Sequence, residues 1–424
     1  MEETLYQNYL KILDKELVPA LGCTEPIAIA YASAKAAQLL GKRPQRLEVW
    51  CSGNIVKNVK GVIVPHSNGQ RGIEIAAVLG SFFGNADAGL EVLEEVTDRE
   101  AAEAASIVRS GCCNCHLQEG VDNLYIRVIV YDAGDNFAEA RLEHKHTFFS
   151  YLEKDGEVLL DRRPDAKAAD LPDSSVLNVQ GILSFADALY IEDVKSILDR
   201  QLRMNDQISK QGLAGDYGAN IGRTLLDCCG NENVFIRARA RAAAGSDARM
   251  NGCPLPVVIN AGSGNQGITI AMPILEYAES YQISKDKLYR ALAAGNLISL
   301  HLKKYIGNLS AYCGATNAAC GAACGIAYMQ DEGYNVIAGT IINTIATIGG
   351  MVCDGAKSSC AAKISIALES ALNALMEAKH GKVFADGEGL VEGDVEQTIR
   401  NIGRMGKDGM QRTDVEILNI MLHH

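Results

Sequence analysis

Leu124-Tyr-Ile-Arg-Val-Ile-Val130 and Ala138-Glu-Ala-Arg-Leu142 alternate apolar with polar side chains on either side of Asp132-Ala-Gly-Asp135. A period of two marks a strand with one buried face, and the Asp- and Gly-rich interval is turn chemistry, so the stretch reads as a β-hairpin. Arg46-Leu-Glu-Val-Trp-Cys51 reads as a strand before it, and residues 148–151 continue the sheet after it. Helical periodicity interleaves at 2–17, at 27–40 with Gly41 as its C-cap, and at about 70–83, with a short apolar run at 62–64 between. This order of elements predicts an α/β layer.

After about residue 172 the strand signals thin out, and alanine-, isoleucine- and leucine-rich helical stretches run nearly to the end. With 424 residues, more than one hydrophobic core usually serves, the chain divides into two domains. The expected class is α+β: an α/β sandwich-like domain over 1–172, then an all-helical domain over 173–424. No repeat of fixed period and no low-complexity segment interrupts the pattern.

The formal net charge of −12 opposes binding to nucleic acid or to an anionic membrane surface, and no basic run offsets it. The opening MEETLYQNYL carries acids where a secretory signal needs a basic flank and an apolar core, so a cytoplasmic location is expected. The weakly polar stretch 336–353 contains Thr, Asn and several Gly and reads as a buried helix instead of a membrane span. A homodimer is compatible with all of this.

Thirteen cysteines in a chain expected to stay in a reducing compartment point away from disulfides and toward metal binding or thiol chemistry. Cys51, Cys228, Cys229, Cys253 and Cys324 read as small buried hydrophobes. Cys23, in Leu21-Gly-Cys-Thr-Glu-Pro26, stands directly before a helix, where the positive helix end should lower its pKa below the free value of about 8.5. A packed N-cap cysteine is the alternative. Cys353-Asp-Gly-Ala-Lys-Ser-Ser-Cys360 together with Cys313 supplies three thiolates. Three cysteines on a four-iron cluster leave one iron open as a Lewis acid, whereas a fourth would close it; the spacing fits no zinc ribbon, and chance placement among thirteen cysteines would also produce it.

Other segments offer weaker signals. Cys112-Cys-Asn-Cys115 with His116 is dense but lies in a loop before a strand, with nothing nearby to complete a metal sphere. His144-Lys-His146-Thr147 at a strand end places imidazoles and a hydroxyl where they line a cleft or simply a surface. Ser52-Gly-Asn54, Asn68-Gly69 and Gly262-Ser-Gly-Asn265-Gln-Gly267 present backbone N–H groups to a carboxylate or form plain turns. None matches a dinucleotide or P-loop fingerprint. Arg249, in Ser246-Asp-Ala-Arg-Met250, suits either a forked contact to a substrate carboxylate or a structural salt bridge.

At Leu21–Pro26, at Cys51-Ser-Gly-Asn54, at Ser246–Met250 and at Met351-Val-Cys-Asp-Gly-Ala-Lys357 the chain resembles the L-cysteine desulfidase family, which is related to the iron–sulfur L-serine dehydratases. The resemblance runs from about residue 10 to about 405, and the Cys-Asp-Gly-Ala-Lys segment is its most specific part. It implies an N-terminal domain like the serine dehydratase β domain, a helical domain like the α domain, and a 4Fe-4S cluster on three cysteines with one iron not ligated by protein. Cys353 and Cys360 match directly. Cys313 stands where the desulfidases have their first ligand, while Cys320 better matches the serine dehydratase context; Cys313 is preferred. Cys23 replaces a histidine of the dehydratases and is the implied base. His144 and Thr147 resemble a dehydratase His-Pro-Asn-Thr element, from which Lys145 and His146 depart. Ser52, Asn54, His144, Thr147, Arg249 and Asn265 form the expected substrate contacts.

The implied reaction is β-elimination from L-cysteine to pyruvate, ammonia and hydrogen sulfide, without pyridoxal phosphate. L-serine dehydration is its nearest rival. From other classes, an iron–sulfur redox protein would require fully cysteine-ligated iron, and a structural metal protein would unfold on metal removal without turning anything over.

Overall fold

The computed structural model describes residues 1–162, 172–307 and 309–422. The chain begins with α1 (Glu3–Glu16), β1 (Pro19–Leu21), α2 (Thr24–Leu40), β2 (Arg46–Cys51), α3 (Gly53–Lys60), α4 (Ile73–Phe83) and α5 (Asp98–Arg109). Five strands follow: β3 (Cys113–Leu117), β4 (Tyr125–Tyr131), β5 (Phe137–Glu143), β6 (Phe149–Lys154) and β7 (Glu157–Asp161). The sheet order is β3-β2-β4-β5-β6-β7, antiparallel throughout except for the parallel β2–β3 pair at one edge. That parallel pair needs the long crossover that α3, α4 and α5 supply.

Local signals account for most of this layer. Gly41 adopts φ 71 and closes α2 as a left-handed cap. Asp132 Oδ1 accepts from the N–H groups of Gly134 and Asn136 and fixes the β4–β5 hairpin. One sheet face, with Leu47, Val49, Ile126, Val128, Val130 and Ala140, packs under α2 and α4. The opposite face is finished for solvent by cations on rings: Arg46 lies 3.7 Å from the Tyr131 centroid, Arg127 lies 4.7 Å from that of Trp50, and Arg141 lies 4.7 Å from that of Tyr151. Glu139, buried between Arg127 and Arg141, neutralises that ladder.

The remainder is helical: α6 (Val179–Ala188), α7 (Ile191–Ala214), α8 (Ile221–Cys229), α9 (Val234–Met250), then β8 (Pro256–Val258), α10 (Gly264–Ser280), α11 (Lys285–Ile306) and α12 (Gly314–Met329). The chain ends with α13 (Tyr334–Ile348), α14 (Cys360–Lys379), α15 (Val395–Arg404) and α16 (Gln411–Leu422). Helices α11 and α12 are buried nearly all round, which explains their small, apolar composition. The stretch expected as a buried helix is helical only as far as Ile348, where α13 ends, and among the described residues no helix is long and apolar enough to cross a membrane.

The two parts are stitched together. Tyr6, Tyr9, Ile12 and Leu13 of α1 join the helical core, although α1 precedes the sheet in sequence. β1 pairs antiparallel with β8, a strand inside the region 173–424 where only helices were expected. Its three residues sit below the length at which alternation becomes readable. Three further readings are corrected. Cys113 and Cys115 lie in β3, not in a loop, because the run pairs with β2. The helix read from about residue 70 starts at Ile73, after the left-handed Gly72. Cys228 and Cys229 are exposed, since they form the solvent end of α8 before Gly230.

Candidate functional site

The seam between sheet and helices encloses a cavity of about 180 Å³. Cys23, Glu25, His146, Arg249, Cys313, Cys353 and Cys360 all line it. They come from the start of α2, the β5–β6 loop, the end of α9, the start of α12, the loop before α14 and the start of α14, so only the folded chain brings them together.

Cys23 is the N-cap of α2, with extended backbone and no capping hydrogen bond from its side chain. Its Sγ instead donates to Glu25 Oε2 at 3.0 Å. Thr24 Oγ1 donates to Gly262 O at 2.9 Å, pinning the start of α2 to the turn before α10. Burial and then the Glu25 charge push the Cys23 thiol well above its ordinary value, and Arg249 only partly opposes them. This reverses the acidity expected from the helix end: a partial helix charge is outweighed by complete desolvation beside a full negative charge. Burial also penalises the Glu25 carboxylate, yet His146, the Cys23 thiol and Arg249 together bring it down to about 2, so it is ionised. His146 Nε2 lies 3.7 Å from Glu25 Oε1, an ion-pair distance too long for a hydrogen bond.

Arg249 is fully buried. Its Nη1 donates to Asn265 Oδ1 at 3.0 Å, while its Nε and Nη2 have no protein partner. Buried donors are nearly always satisfied, so two free ones on a cavity wall point to an anionic ligand. Asn265 and Thr147 line the same cavity.

The three cysteines line the same cavity, Cys360 packing against Cys23 and Met250. Cys313 N donates to Met351 O at 2.9 Å and Cys353 N to Ala311 O at 2.6 Å, a short antiparallel bridge centred on Tyr312 and Val352. Lys363 Nζ donates to Val352 O at 2.7 Å and pairs with Asp354, tying that loop to α14. Gly355 adopts φ +90, and a Cβ there would lie 2.4 Å from Lys57 O, so the loop rests directly on the α3 backbone. Burial pushes the Cys313 and Cys360 thiols up, and the neighbouring Cys353 adds to it. Buried Lys303 also faces Cys313 and Cys353.

Among the described residues no three His, Cys, Asp or Glu side chains converge on a single metal ion. A four-iron cluster asks for something different: each thiolate binds its own iron, so the sulfurs surround a volume instead of a point. Three thiols around one cavity, with the buried Lys303 amine beside them, fit such a group. Cys320 lies farther along α12, beside Cys324 in the helical core and off the cavity wall.

Ser52, Asn54 and His144 do not reach this cavity. They line a second one of about 710 Å³, together with Asp122 and residues of α16. Ser52 Oγ donates to Asn123 O at 2.7 Å, and His144 Nδ1 lies 3.1 Å from Asp122 Oδ2. His144 has φ +65, and the turn it makes carries His146, not His144, to Glu25. Cys113 and Cys115 point to one face of β3 and His116 to the other, where it stacks on Trp50, so alternation splits that group apart. Glu25 and Lys303 were missed, whereas His146 stood among the imidazoles read as lining a cleft or a surface. Glu25 sits inside the quoted Leu21–Pro26 motif without a role read for it, and Lys303 carries no local signal.

A family model described as serine dehydratase alpha chain matches residues 87–419. A UPF0597 protein of Desulfitobacterium hafniense is 47% identical over 100% of this chain and 98% of its own length. UPF0597 proteins of Lachnoclostridium phytofermentans (46%, covering 99% of this chain and 100% of the relative) and Treponema denticola (42%, covering 100% and 99%) are similar over equally full lengths. The chain belongs to the serine dehydratase alpha chain family, together with these UPF0597 proteins, and so is related to the iron–sulfur serine dehydratases.

Proposed function

We propose that the protein is an iron–sulfur-dependent lyase that converts L-cysteine and water to pyruvate, ammonia and hydrogen sulfide. The observation that carries this reading is the cavity itself, which brings Cys23 and the two free donors of Arg249 together with Cys313, Cys353 and Cys360. A redox protein needs no such enclosed space.

Arg249 Nε and Nη2 take the substrate carboxylate, with Asn265 holding the guanidinium from its other edge. Cys23, once ionised, takes the α-proton. The Cα–H electron pair becomes the Cα=Cβ bond, and the Cβ–S bond breaks with its pair on sulfur. Cys313, Cys353 and Cys360 would hold a 4Fe-4S cluster, which when bound would supply Lewis acidity for the departing group. The released 2-aminoacrylate tautomerises and hydrolyses to pyruvate and ammonia. A cytoplasmic location suits thirteen unpaired cysteines and an oxygen-labile cofactor.

Dehydration of L-serine is the second reading, favoured by the family description. Anaerobic reconstitution with iron and sulfide, followed by parallel assays of sulfide and pyruvate from L-cysteine and L-serine, separates the two. Sulfide matched by pyruvate from cysteine supports the first reading, and pyruvate from serine alone supports the second. Neither product from a fully loaded protein overturns both.

A further inference from the structure

Two unlike charges face the cavity without meeting each other. Glu25 and Arg249 are both buried on its wall, and no ion pair joins them among the described residues. Glu25 Oε2 receives a hydrogen bond from Cys23 Sγ at 3.0 Å, the single hydroxyl proton of Thr24 being given to Gly262 O, and the His146 imidazole lies 3.7 Å from Oε1. A carboxylate oxygen accepts two hydrogen bonds, so Glu25 retains acceptor capacity on Oε1. Of the other cavity side chains, Lys145 pairs with Glu16 at 2.7 Å, Lys363 pairs with Asp354, and Lys303 lies toward the thiols. Arg249 acts on Glu25 only through space, without a direct ion pair, and burial of an anion so placed is costly unless a ligand completes the pair.

We propose that Glu25 receives the α-ammonium of the substrate while Arg249 receives its carboxylate, so that the site selects α-amino acids as zwitterions. The inference rests on the amino-acid lyase reading above and assigns Glu25 to it as a specificity-determining residue. Two anchored substituents fix the α-carbon between them. The Cys23 thiol, bonded to the same carboxylate that holds the ammonium, then stands beside the α-hydrogen, and the β-substituent is left to point at the three cysteines. The three attachment directions admit one enantiomer.

The test uses ligands that cannot undergo elimination. Dissociation constants for L-alanine, D-alanine and propionate are measured by anaerobic calorimetry on cluster-loaded protein, wild type and variants. The wild type is expected to bind L-alanine at least tenfold more tightly than propionate or D-alanine. Glu25→Gln should weaken L-alanine at least tenfold and leave propionate within twofold, whereas Arg249→Met should weaken both. Glu25→Asp, which keeps the charge, should keep part of the preference and decides the matter should the glutamine variant not fold. A wild type without preference, a glutamine variant that keeps it, or equal weakening of both ligands overturns the proposal. Because no turnover is read, a preference that stands while neither sulfide nor pyruvate forms would sink the lyase reading alone.

Discussion

Cys23 Sγ donates to Glu25 Oε2 across 3.0 Å inside the cavity wall, so the group best placed to take a substrate proton sits beside a carboxylate that opposes its ionisation. In the free protein it is a thiol, and the base must be made before it can act.

The pH dependence follows with a definite sign. Burial and the Glu25 charge raise the Cys23 thiol, and the reaction needs the thiolate, so kcat/KM should climb about tenfold per pH unit through neutrality. Its midpoint should lie above the ordinary thiol value of about 8.5. A rate that is flat or falling between pH 7 and 8.5 contradicts the base assignment. Cys23→Ala should keep its cluster spectrum and its affinity for L-alanine while losing at least roughly 10²-fold in kcat.

Iron content distinguishes the cysteines. Anaerobically prepared protein should be brown and carry about four irons per chain. Cys313→Ala, Cys353→Ala and Cys360→Ala should each lose the visible spectrum, while Cys320→Ala and Cys112→Ala keep it, because neither lines the cavity. Iron loss from the Cys320 variant with retention in the Cys313 variant would reverse the choice of first ligand, and a zinc-only protein with full activity would remove the cluster altogether.

Gly355→Ala tests the loop that presents Cys353. At φ +90 a side chain is strained, and the new methyl would collide with the Lys57 carbonyl at 2.4 Å, together costing on the order of 1–3 kcal/mol locally. The loop should shift away from α3, lowering iron retention severalfold while far-UV circular dichroism stays unchanged. A variant that retains wild-type iron would show that the loop position is not set by this contact.

Much of the fold was legible because its signals are local. Strand β2, the β4–β5 hairpin and the Gly41 stop of α2 announce themselves by alternation and turn chemistry within a few residues. The amphipathic pattern of α1 says that one face is buried but not against what, and its partners Phe185 and Val194 lie far along the chain. β3 pairs parallel at a sheet edge through a run of cysteines that looks like a ligand set. At the site, Cys23 and Arg249 stand out as residue types in unusual settings. Which histidine of the β5–β6 loop turns inward depends on one positive φ at His144, and the acidity of Cys23 depends first on its burial in the assembled cavity and then on the Glu25 charge, so neither follows from spacing.

Asp247 offers a test of the helical half that needs no cofactor. Its Oδ2 accepts from Gly222 N at 3.2 Å at the start of α8, and its Oδ1 has no partner. Burial pushes the carboxyl up to about 6, against the opposing backbone hydrogen bonds of Gly222 and Ile221. An acid raised on folding binds its proton more tightly in the native state, so its contribution is fully present below the unfolded value of about 3.9 and is lost as pH rises through about 6. The loss should amount to about 3 kcal/mol by pH 7. Asp247→Asn removes the titration and keeps an acceptor for Gly222. In urea unfolding of cluster-free protein at several pH values from 4.5 to 7.5, the difference in stability between variant and wild type should therefore move in favour of the variant as pH rises. A difference that is constant across the range would show that Asp247 carries the same charge folded and unfolded.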